Sequence, residues 1–175
     1  RAPFSIEAQN TALKLPLTSP LLPGKTIEVD LGFTATFARY EEGYVLFGYS
    51  QDILALSDFY PILAVHDEKG WRLEVAPPYA DAVYSEVALY QVDITVPAAM
   101  VVVTSGTVLE TKSTPDGRRV LSCASGPARE FALVMSRAFR QKSTVAQGTT
   151  VNSYYLPQDE ESGRLALGYA AAALK

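Results

Sequence analysis

Residues 107–124 read TVLETKSTPDGRRVLSCA. Pro115-Asp116-Gly117 divides two stretches, Thr107 to Lys112 and Arg118 to Ala124. Proline presets the φ that the first turn position needs, and glycine accepts the positive φ that closes the turn. The stretch therefore predicts a β-hairpin. Just upstream, Ala88, Tyr90, Val92, Ile94 and Val96 share one face of a strand, with Leu89, Gln91, Asp93 and Thr95 opposite. A period of two means one buried face and one wet face. Pro97 ends that strand, because it has no N–H to give a ladder. Met100–Val103 is apolar on both faces and predicts a buried strand. Downstream, Phe131–Met135 and Thr149–Leu156 predict two more strands, with Gln147-Gly148 turning into the second.

The first half of the chain continues the pattern. Ile27 to Phe37 is the clearest alternation: Ile27, Val29, Leu31, Phe33, Ala35 and Phe37 fall on one face. Leu13, Leu15 and Leu17 alternate likewise, and Ser19-Pro20-Leu21-Leu22-Pro23-Gly24-Lys25 punctuates the two. Tyr44–Phe47 is a short apolar run after Glu41-Glu42-Gly43. Residues 48–80 read as a long irregular excursion, ordered because it holds Tyr49, Phe59, Tyr60, Trp71 and Tyr79. Only the last stretch is helical. Asp159 or Ser162 can cap it, acidic residues crowd its first turn, and Leu165, Tyr169 and Ala173 recur at helical spacing. No Gly or Pro stops this helix before Lys175. The fold class is mainly β: an antiparallel sandwich or pair of twisted sheets with one C-terminal helix.

Composition narrows the chemistry. The chain has 175 residues, enough for one domain with its own core. One cysteine allows no internal disulfide, and one histidine cannot supply a His-pair metal site. A net charge of −4 without a Lys/Arg cluster argues against nucleic acid as a partner. No apolar run approaches the roughly 20 residues of a membrane-spanning helix.

The candidate sites are thin. Gly48-Tyr49-Ser50-Gln51-Asp52 resembles a nucleophile elbow, but it lacks the final Gly and the helix that should follow. His66-Asp67-Glu68 clusters a histidine with carboxylates, but neighbours in an extended segment point to opposite faces. Cys123 lies on an alternating strand and reads as a small buried apolar residue. Pro20-Leu21-Leu22-Pro23 has P-x-x-P spacing and reads as a connection between strands. No catalytic residues follow from these readings, and no metal ligands.

The order of segments carries more information. Leu15-Pro16-Leu17, the Leu22-Pro23-Gly24 turn and the strand Thr26–Phe33 come first. Gly43-Tyr44 follows, then Phe59-Tyr60-Pro61 with Asp67-Glu68, then Tyr90-Gln91-Val92-Asp93-Ile94-Thr95-Val96-Pro97. Ser105-Gly106, Phe131-Ala132-Leu133, and Val151 to Pro157 running into a helix complete the series. This order resembles the N-terminal β domain of the aminopeptidase N-like zinc metallopeptidases, the gluzincin aminopeptidases, in a divergent bacterial branch. Asp58 and Ile62 depart from the family block, as does the insertion-like stretch 69–82.

The resemblance implies a saddle-like β domain over 1–158, lacking its first strands. It implies that 159–175 begins a helix leading into a catalytic domain. The family's H-E-x-x-H helix, distant Glu ligand and Gly-x-Met-Glu-Asn strand lie after this domain, and zinc is expected there. The chain would be the wall beside that site, inactive alone, with the parent's catalytic domain and peptide N-termini as partners. The family takes a Gln from this domain, just before the aromatic-Pro block, to hold the substrate's α-amine; Gln51 precedes Tyr60-Pro61 here, with flanking residues that depart from the family's. Two other readings stay open: a stand-alone β-sandwich binding or adhesion module, and a relative that kept the architecture but lost catalysis.

Overall fold

The computed structural model describes residues 2–40, 47–73 and 84–175. The strands, in chain order, are β1 (Ser5–Glu7), β2 (Ala12–Lys14), β3 (Arg39–Tyr40), β4 (Phe47–Ser50), β5 (Ile53–Leu56), β6 (His66–Asp67) and β7 (Gly70–Trp71). There follow β8 (Ala88–Pro97), β9 (Val101–Thr104), β10 (Thr107–Ser113), β11 (Arg118–Ala128), β12 (Leu133–Ser136), β13 (Arg140–Ala146) and β14 (Thr149–Tyr155). One helix, α1 (Glu160–Ala173), closes the order. The chain is mainly β with a single C-terminal α-helix, as the alternation predicts. No helix among the described residues is long and apolar enough to cross a membrane.

Two sheets make the sandwich. One has the order β10-β11-β8, all antiparallel. The other has the order β3-β4-β5-β12-β9, antiparallel except for the short parallel pair β3-β4. Ile94, Val96, Leu121 and Cys123 of the first sheet meet Leu56, Leu133 and Met135 of the second in one buried cluster. Phe131, with 0% of its surface exposed, sits in the same cluster just before β12. The register sets Ile94 beside Leu121 and Val92 beside Cys123, so the alternating face of β8 meets the alternating face of β11.

The 114–117 turn forms as the sequence requires. The Gly117 N–H donates to Thr114 O at 3.2 Å, and Gly117 takes φ +77. The Thr114 hydroxyl donates to the Asp116 carboxylate and holds it below the usual carboxylate range.

The structure corrects five expectations. Ile27–Phe37 joins no ladder among the described residues, and only Phe37 of this stretch packs against the core. Alternation sets the faces of an extended chain, but a strand also needs a neighbour to take its hydrogen bonds. Residues 48–80 are not wholly irregular, because β4 and β5 form a hairpin and β6 and β7 a smaller one. Met100–Val103 is not fully buried: β9 is half-buried at the edge of its sheet. Helix α1 ends at Ala173 and does not run to Lys175. Its inward residues are Gly163, Leu167 and Ala171, while Leu165 and Tyr169 face out. The readings on Glu41–Leu46 and on residues 74–83, Pro77, Pro78 and Tyr79 among them, lie outside the described residues.

Strand β13 is the partner that Thr149–Leu156 needed, and α1 packs on the β13-β14 hairpin. A Cβ at Gly163 would meet Cγ of Tyr155 at 2.6 Å, so the close approach of helix to strand requires glycine there. The Ser153 hydroxyl donates to Gly163 O at 2.9 Å, and Lys142 Nζ reaches Glu160 Oε1 at 2.5 Å.

Candidate functional site

Gln51 is the one residue that the sequence proposes for substrate. It stands at the tip of the β4-β5 hairpin, with Ser50 and Ile53 paired across the turn. Gln51 and Asp52 are the two central residues, at φ +48 and +64. Two positive φ values in a two-residue loop match the twist of the flanking strands, and Asn-Gly is the usual choice. Gln-Asp adopts this turn at a local steric disadvantage.

The turn is braced from beside and below. Tyr49 Oη donates to Asp52 Oδ1 at 2.6 Å. This bond to a carboxylate raises the Tyr49 phenol above the usual tyrosine value, and burial adds to it. The Arg39 guanidinium carbon lies 5.1 Å from the Tyr49 ring centroid, within cation–π range. Arg39 is placed there by the β3-β4 pairing, which sets it level with Tyr49. The Gln51 side chain is exposed and makes no hydrogen bond among the described residues. Such a corner offers a carboxamide oxygen and a fixed carboxylate to a hydrogen-bond donor, for example a protonated amine.

The Tyr49–Asp52 hydrogen bond and the Arg39–Tyr49 contact are what the sequence reading missed. Asp52 was visible as the neighbour of Gln51. The Arg39–Tyr49 contact depends on a sheet pairing that no local pattern announces.

The other candidates separate. Gly48–Asp52 runs strand, turn, strand, whereas a nucleophile elbow runs strand, turn, helix. His66 lies exposed in β6, with its ring edge-on to Trp71 at 4.8 Å between centroids. The Asp67 carboxylate accepts the Lys69 N–H at 2.8 Å and Arg72 Nε at 2.7 Å. Those two bonds, the backbone one first, hold it below the usual carboxylate range. Asp67 is thus engaged within its own hairpin, and among the described residues no three His, Cys, Asp or Glu side chains gather to hold a metal ion.

Cys123 is 3% exposed in the core, and burial pushes its thiol up. Leu22-Pro23-Gly24-Lys25 is a β-turn closed by Lys25 N–H to Leu22 O at 3.0 Å. The Phe59-Tyr60-Pro61 block has a structural job: Tyr60 Oη accepts the Phe131 N–H at 2.7 Å across 71 positions of sequence. Tyr60 also packs edge-on against Phe59 and Tyr90, at 5.1 and 5.9 Å. No protein-family model, no curated protein and no solved structure matches the chain.

Proposed function

We propose that the chain is the N-terminal, non-catalytic β domain of an aminopeptidase-like zinc metallopeptidase. In this reading it packs on the zinc domain and forms one wall of the substrate site. The observation that carries the reading is the outward face of α1. Leu165 and Tyr169 are 46 and 75% exposed, and the alanines of residues 170–173 surround the same helix. From Leu165 to Leu174 the helix carries no charged residue, and an exposed apolar stretch of this kind marks a contact surface. The ordered segments from Leu15 to Pro157 supply the family, and the antiparallel sandwich is compatible with it.

Zinc, in this reading, sits in the catalytic domain and supplies Lewis-acid activation of water and of the scissile carbonyl. This chain contributes binding only: the Gln51-Asp52 corner faces the free amine of a peptide. The test is the complete reading frame expressed with zinc and offered aminoacyl-arylamides. Cleavage by that product, absent from the isolated chain, supports the proposal. In an active product, Gln51→Ala raises KM several-fold with kcat nearly unchanged, the signature of lost ground-state binding. A fall in kcat at constant KM would remove Gln51 from this role.

A second reading, a binding module, is favoured by the β6-β7 hairpin. Trp71 is 56% exposed there and Leu63, just before it, 81%. An exposed Trp71 on the hairpin and an exposed Leu63 just before it suit a protein contact. A reading frame that lacks H-E-x-x-H and yields no peptidase activity favours this reading over the first.

A further inference from the structure

Strand β10 ends the β10-β11-β8 sheet, and among the described residues nothing pairs with its other side. Every residue from Thr107 to Ser113 is exposed. The register shifts between Val108 and Glu110, so Glu110–Ser113 runs in regular step with β11. The Thr114 N–H donates to Arg118 O at 2.9 Å, which fixes the phase of this ladder. Main-chain bonds alternate along an antiparallel pair. Glu110 and Lys112 therefore exchange theirs with β11, while Thr111 and Ser113 turn N–H and C=O toward the open edge. Glu110 and Lys112 stand on the face away from the core, since their partners Ser122 and Val120 alternate with the buried Leu121 and Cys123. Their side chains pair at 2.8 Å. A lysine guards an edge through its charge, and here a carboxylate stands beside it. No proline lies on the strand to block the edge.

We propose that the open edge of β10 seats a second copy of this chain, antiparallel about a twofold axis at Thr111. In that register the outward main-chain groups of Thr111 meet those of the partner's Thr111 and exchange two hydrogen bonds. Glu110 then stands across from the partner's Lys112, and Lys112 from the partner's Glu110. These are non-hydrogen-bonded positions, where side chains across a ladder come closest and opposite charges attract. The strand is thus its own complement in charge and in bonding phase at once. Moving the axis to Leu109 or Ser113 loses both charge pairs, and parallel in-register pairing sets like on like. Val108 and Leu109, 43 and 70% exposed, lie against the partner's Ser113 and Thr114 and leave water there. The two three-stranded sheets become one continuous sheet, and the same patch serves both copies, as a twofold interface requires. The inference holds whether or not the chain belongs to a peptidase.

The test is sedimentation equilibrium of the whole chain at concentrations up to about 1 mM, high enough to populate a dimer held by a short edge. A monomer–dimer equilibrium is expected. E110K and K112E each replace two attractive cross-strand pairs by two repulsive ones and should weaken the dimer about tenfold. E110K/K112E restores opposite charges across the axis and should return the dimer to near its original strength. E161K, which changes net charge as E110K does but on α1, leaves the dimer unchanged. Amide exchange locates the contact without any substitution: the Thr111 and Ser113 amides exchange freely in dilute chain and become protected as concentration rises. A chain that stays monomeric to about 1 mM would overturn the proposal. So would a dimer that E110K and K112E leave intact, a double variant no tighter than the single ones, or a dimer whose Thr111 and Ser113 amides stay unprotected.

Discussion

Phe131 and Tyr60 show how far single residues reach in this fold. The Phe131 ring is fully enclosed between the sheets, and its backbone N–H donates to the Tyr60 hydroxyl. Truncating the ring by Phe131→Ala should lower unfolding free energy by about 3–5 kcal/mol, measured by urea denaturation. Tyr60→Phe keeps the ring but strands a buried N–H, which costs about 1–3 kcal/mol. The same phenol has a pH signature. Burial, as the largest cause, raises its pKa far above the usual tyrosine value. The folded state therefore holds the proton more tightly than the unfolded chain, whose tyrosines titrate near about pH 10. This contribution is fully present below that pH and is lost as the pH climbs toward the folded value. Denaturant midpoints should fall above about pH 10, less steeply in Tyr60→Phe. Cys123, buried with its thiol pushed up, should stay unreactive toward thiol reagents until the chain unfolds. The inward places of Ile94, Val96 and Cys123 were legible from alternation alone. The Tyr60–Phe131 bond was not, because nothing local links residues so far apart in sequence.

At the scale of elements, legibility followed turn chemistry. Pro115-Asp116-Gly117 names its hairpin, and Gln147-Gly148 names the turn between β13 and β14. Gln51-Asp52 does not, since neither residue favours positive φ as Gly or Asn does, and β4 and β5 went unread beside it. Ile27–Phe37 failed in the opposite direction: its pattern is that of a strand, but no described segment pairs with it. Two glycines in α1 separate intrinsic propensity from packing. Nothing lies within 4 Å of a Cβ built at Gly168, so Gly168→Ala should stabilise the fold by up to about 1 kcal/mol. At Gly163 the same change drives a methyl group into the Tyr155 ring. There overpacking of about 1–3 kcal/mol outweighs the helix-propensity gain, and thermal melts should shift in opposite directions for the two variants.

For the molecule as a whole, the residues show a sandwich core and no assembled chemistry among the described positions. What the surface offers is contact: the outward face of α1 and the Gln51 corner. The α1 face and the Gln51 corner fit a domain that works beside another. The proposed kind of neighbour rests on the order of segments from Leu15 to Pro157. The most direct measurement is aminoacyl-arylamide hydrolysis by the product of the complete reading frame, with the isolated chain in parallel, both loaded with zinc. The account predicts an H-E-x-x-H sequence after Lys175 and turnover by the complete product alone. Turnover by the isolated chain, or a complete product lacking that motif and inactive, would contradict it.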